Sequence, residues 1–189
     1  MGQGSVRDGV TFYPLSASHL APIALSLGQS GTQLLATVPT DTVGVSVDIL
    51  KRLRRTLEPS LPWVLGDLDD PPGTTRELAN VELSLGSLPD TAYVSYVCTS
   101  TVLGRFDLSG PAGSFEGAFV VRIAVRERWF DWGREPAWNG SREITLALAP
   151  GVGPVRLAAS MLGYDTPPYG HQPRGFDFQG NLDRVVDAR

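Results

Sequence analysis

Between Ala118 and Arg126 the chain alternates, with Phe119, Val121, Ile123 and Val125 on one side and Arg122 and Arg126 on the other. A period of two is that of an extended strand with one dry and one wet face, and a helix would scatter the same residues around its axis. The pattern returns in Glu143 to Ala149 with Ile144, Leu146 and Leu148, and in Val155 to Met161 with Val155, Leu157 and Ala159. Pro150-Gly151-Val152-Gly153-Pro154 joins these two as a tight connection. Half-buried strands joined by short turns are the mark of an antiparallel sheet, not of a parallel one covered on both faces.

Ala92 to Leu103 places Val94, Tyr96, Cys98 and Val102 on one face and Tyr93, Val97, Thr99 and Leu103 on the other, so it reads as a central strand. Val10 to Tyr13, Thr32 to Val38, Val43 to Val47 and Ala79 to Leu85 add shorter strands. Ser18 to Leu25 reads as loop with a helical turn. At residue 48 the period changes. Leu50, Leu53 and Leu57 follow at helical spacing with Lys51, Arg52, Arg54 and Arg55 between them, predicting an amphipathic helix over 48–58, capped by Asp48 and stopped by Pro59.

The expected fold is therefore mainly β: an antiparallel β-sandwich or jelly-roll-like barrel with one short amphipathic helix and extended terminal arms. Residues 1–10, rich in glycine, read as an N-terminal arm, 11–162 as the β-rich domain, and 163–189 as an extended C-terminal arm. Alternating strand and helix units are missing, which argues against a dinucleotide-binding sheet. The 189 residues suffice for a core without staples. The one cysteine, Cys98, has no disulfide partner within the chain and reads as a small core side chain in a reducing compartment.

Sixteen basic against 20 acidic residues leave a net charge of −4, so no chain-wide electrostatic case for nucleic acid exists, although local patches can. Of the basic residues only Lys51 is a lysine; arginine suits subunit contacts, and Arg52 and Arg55 are candidate interface residues. No apolar run reaches the ~18 residues of a membrane span, and the first residues lack a signal-peptide plan.

Sites of chemistry are few. Asp67, Asp69 and Asp70, with Glu77 nearby, are close enough to share a hard cation, but their spacing fits no EF-hand, and a solvated acidic turn explains them. His19 and His171 stand in loop sequence without a supporting motif. Gly28-Gln29-Ser30-Gly31 lacks nucleophile-elbow spacing and reads as a glycine turn. Asp41-Thr42 lacks the glycine of an acid-protease loop. No phosphate loop, dinucleotide fingerprint or zinc motif is present, so the sequence predicts a non-enzyme without cofactors.

Trp129, Trp132 and Trp138 form the densest aromatic group, and Gly133, Pro136 and Gly140 mark their segment as a loop able to stack on a ligand or a partner. Asn139-Gly140-Ser141 matches a glycosylation triplet but reads as a turn. Tyr164, Tyr169, Phe176 and Phe178 make the C-terminal arm a candidate for docking on this subunit or a neighbour. Together these features predict a structural subunit of a symmetric assembly, such as a viral or phage capsid, decoration, tail or connector protein, in the virion or the host cytoplasm. Its expected partners are copies of itself and other assembly proteins, with no membrane and no direct nucleic acid. The alternative is a ligand- or carbohydrate-binding module using the Trp129–Trp138 loop.

Overall fold

A computed structural model describes residues 4–15, 25–37, 55–84, 93–131, 135–165 and 173–181. The chain is mainly β, in two antiparallel sheets, the number that a sandwich needs, and it divides into compact units at Asp70 and Pro71. That boundary falls inside the acidic segment.

The first unit holds a five-stranded meander: β1 (Ser5–Arg7), β2 (Val10–Leu15), β3 (Leu25–Ser30), β4 (Gln33–Thr37) and β5 (Trp63–Asp67) pair in chain order. Within the expected N-terminal arm, residues 5–10 form β1 and the turn into β2. Asp8 and Gly9 both have positive φ, at 49° and 78°, as a two-residue loop needs if its twist is to match that of the flanking strands. Residues 28–30, expected as a turn, belong to β3, and only Gly31-Thr32 turns. Phe12, Leu27, Leu34, Leu35, Trp63 and Leu65 are buried here. The Trp63 indole N–H donates to Ser60 Oγ at 3.0 Å, and the Ser60 hydroxyl donates to the Leu57 carbonyl at 2.7 Å. Those bonds tie a helical turn at residues 55–57 and a 3₁₀ helix at Glu58–Ser60 to the start of β5. Pro59 lies within the 3₁₀ turn, not past its end, because its fixed φ and missing N–H suit a first helical position. The remainder of the expected helix and the expected strand at 43–47 lie outside the described residues.

The second unit is a six-stranded meander: β6 (Thr75–Ser84), β7 (Tyr93–Gly110), β8 (Gly113–Asp131), β9 (Glu135–Ala149), β10 (Gly153–Asp165) and β11 (Pro173–Asn181). Its dry face follows the alternation seen in the sequence. Tyr96, Cys98, Ser100 and Val102 on β7, Phe119, Val121, Ile123 and Val125 on β8, Ile144 and Leu146 on β9 and Ala159 on β10 are all buried. Cross-strand register lines them up, with Val102 opposite Val121, Val121 opposite Leu146 and Ile123 opposite Ile144. Fully burying a side chain of this size contributes about 1.5–3 kcal/mol, which makes this face the main source of the unit's stability.

The C-terminal segment departs from the expected arm. Residues up to Asp165 belong to β10, and β11 pairs along β10 from Arg156 opposite Asn181 to Tyr164 opposite Pro173. A bare β10 edge would leave a row of backbone donors and acceptors unpaired, and residues 173–181 satisfy them within the same chain.

Leu146 is fully buried at the centre of the dry face. Leu146→Ala is expected to cost about 2–5 kcal/mol by the lost burial and the cavity left behind. Urea unfolding measures this, and a loss below about 1 kcal/mol would show that the site is not core.

Candidate functional site

β7 and β8 outrun their neighbours. β6 accompanies β7 only as far as Thr101, and β9 accompanies β8 only from Phe119 onward, so residues 104–117 continue as a two-stranded ribbon closed by Pro111 and Ala112. Two irregularities aim it. The first places an extra residue, Leu103, on β7 between Val102 and Gly104; the second places an extra residue on β8 between Ala118 and Phe115. Bulges of this kind bend a strand and increase its twist. At the second, Gly117 adopts φ 60°, its N–H donates to Asp107 Oδ1 at 2.8 Å, and its carbonyl accepts from Arg105 Nη1 at 3.2 Å. Side chains thus satisfy the groups that the ladder releases. The Arg105 guanidinium also lies 5.9 Å from the centre of the Phe119 ring, within cation–π range.

So bent, the ribbon packs Leu108 and Phe115 against a second small core of Ala118, Val120, Ala147, Ala149 and Val155, with Leu103 and Val152 at its margin. Arg156 donates from Nη2 to the Ser109 carbonyl at 3.3 Å, a tie between β10 and the ribbon. Beside this core lies a recess of about 150 Å³ lined by Phe106, Leu108, Val120, Thr145, Ala147 and Ala158, with Arg156 at its side. Phe106, 49% exposed, is among the largest exposed apolar side chains described, with Val6 and Tyr13. The recess offers apolar walls and no nucleophile beside a base.

The residues singled out in the sequence fall elsewhere. Trp129 and Trp138 stand directly opposite one another on β8 and β9, within strands and not in loop; Trp132 lies outside the described residues. A register irregularity between Trp129 and Phe130 admits Pro136, which the sequence reading took for a loop marker. Tyr164 pairs with Asn139 and Pro173, while Phe176 and Phe178 face Met161 and Ala159 in the β10–β11 register. Tyr169, Arg52, His19, His171 and the Asp41-Thr42 pair lie outside the described residues. Arg55 is exposed on the helical turn.

The aspartates form a closed turn. Asp67 Oδ2 accepts from the Thr32 hydroxyl at 2.9 Å, Asp67 Oδ1 accepts from the Asp69 N–H at 3.1 Å, and the Asp67 N–H donates to Asp70 Oδ2 at 2.6 Å. Glu77 accepts from Asn80 on its own strand at 3.2 Å. Among the described residues no three His, Cys, Asp or Glu side chains gather as a metal site would need. Cys98 is fully buried on β7. No helix among the described residues is long and apolar enough to cross a membrane.

The ribbon 104–117 and its recess escaped the sequence reading. Their signal is the run Gly104…Gly110-Pro111-Ala112-Gly113…Gly117, a proline-initiated turn flanked by apolar residues and glycines at the bends. Comparison with protein-family models, with curated proteins and with solved structures returns no match.

Gly117 has open space where a Cβ would stand, so substitution there tests its backbone alone. Gly117→Ala is expected to cost about 1–2 kcal/mol through the left-handed φ. Equal urea midpoints for variant and parent would show that the bulge is not fixed.

Proposed function

We propose that this chain is a structural subunit of a symmetric homo-oligomeric assembly, of the class that builds viral and phage particles, with copies of itself and other assembly proteins as partners. The observation that carries this reading is Phe106, an aromatic side chain half exposed on a ribbon beside an apolar recess. Exposed aromatics next to pockets are the usual anchors of protein interfaces. Open sheets add to it: β1, β5, β6 and β11 are edge strands in the described pairing, each with a row of backbone groups available to another chain. The virion or the host cytoplasm is the setting in which such a subunit would serve.

A second reading, a ligand- or carbohydrate-binding module, draws support from the Trp129–Trp138 register, which sets two tryptophans side by side on adjacent strands. It predicts a monomer whose ligand binding is lost in the double variant Trp129→Ala, Trp138→Ala.

Light scattering on the full chain separates these readings. The assembly reading expects a defined mass several times 20.3 kDa that falls in Phe106→Asp. A 20.3 kDa particle at all concentrations, indifferent to the substitution, would overturn it and leave ligand screening on the tryptophan pair.

A further inference from the structure

The wet face of the β6–β7–β8 sheet carries charge in an ordered pattern. Arg122, Arg126 and Arg128 share one side of β8, and Arg126 and Arg128 are exposed. None of the three has a hydrogen bond or ion pair among the described residues, and Arg122 Nε is buried without a partner. On β6 the exposed residues of the same face are Thr75, Glu77, Asn80 and Glu82. Between them β7 presents Ser95, Val97, Thr99 and Thr101, all half-buried and none longer than valine or threonine.

The register puts these residues in rows across the three strands. Thr75, Thr101 and Arg122 form one row; Glu77, Thr99 and Ala124 the next; Asn80, Val97 and Arg126 the third; and Glu82, Ser95 and Arg128 the fourth. A copy turned by 180° about an axis running along β7, between the two faces, lays its β6 over β8 and its β8 over β6. Height along the strands is unchanged by that rotation. Glu82 of the copy then stands over Arg128, Asn80 over Arg126, and Glu77 over Ala124 between Arg122 and Arg126, and each meeting occurs twice. The small residues of β7 lie on the axis, where facing sheets ~10 Å apart leave room for short side chains only.

We infer that this face is a two-fold interface with a second copy of the chain, held by Arg128–Glu82 pairs, while the exposed Glu143 of β9 stands in the row between Arg122 and Arg126 of its own chain. Arginines alone would suit any polyanion. Glutamates on the same face, Glu82 in the row of Arg128 and Glu77 and the exposed Glu143 of β9 in the row of Ala124, repel a polyanion and select a surface that carries both signs in the same pattern, which the chain's own face does. An isologous contact of this kind is self-complementary by construction. The inference rests on the homo-oligomeric reading above and names its contact.

Sedimentation equilibrium of the full chain tests it with Glu82→Arg, Arg128→Glu and the double variant, each checked for folding by circular dichroism. Each single reversal breaks two symmetric pairs, and at about tenfold per pair it should weaken self-association about 100-fold. The double variant should recover most of the loss. Independently, Val97→Cys, whose thiol would stand across the axis from its symmetry mate, should give a covalent dimer with a short bis-maleimide linker that spans facing sheets ~10 Å apart, while buried Cys98 gives none in the parent. A monomeric parent overturns this inference and the assembly reading together. A parent that assembles overturns this inference alone if the single reversals leave its association unchanged, if the double variant stays as weak as the singles, or if Val97→Cys fails to cross-link.

Discussion

The backbone ladder between β7 and β8 is the interaction on which the second unit depends. It runs from Tyr93 opposite Phe130 to Gly110 opposite Gly113; β6 and β9 are registered to these two strands, and β10 and β11 follow in turn from β9. Because side chains alternate, fixing the ladder fixes which residues enter the dry face. A slip of one residue would exchange Phe119, Val121, Ile123 and Val125 for Ala118, Val120, Arg122 and Ala124 and would place a guanidinium in the core. That penalty is what makes the register unique.

The same alternation lets one strand serve two purposes. On β8 the odd positions from 119 to 125 supply the core and the even positions 122, 126 and 128 carry to the wet face charge that is unpaired among the described residues. Past the first bulge the arrangement changes: Val120 and Ala118, on the wet side by parity, become core beneath the folded-over ribbon. A single extra residue on each strand is therefore what converts a plain hairpin into a body with a polar face and an apolar recess at one end.

Much of this was legible in the sequence. The stretch 118–126 announced its burial because four apolar residues alternate with charge, and 92–103 announced a central position because both of its faces are partly apolar. Residues 173–181 were not legible, since Pro173, Gly175 and Gly180 weaken any strand signal, and an edge strand is held by backbone pairing that composition does not record. The tryptophan segment was misread for a related reason, with Pro136 and Gly140 accommodated at a register irregularity and within β9. The candidate interaction surface was hidden because it is made of rows, and rows exist only once the pairing of Glu82 with Ser95 and of Ser95 with Arg128 is known.

The strands of the larger sheet lie side by side in the order in which they occur along the chain. Such a sheet can be laid down from one edge during synthesis, each new strand finding its template already made and only a short connection away, as low-contact-order topologies do. The last strand described, β11, becomes the outer edge of the growing side. Until residues 173–181 emerge, β10 offers a bare template to any extended segment nearby, and once they pair, that template passes to the outer side of β11.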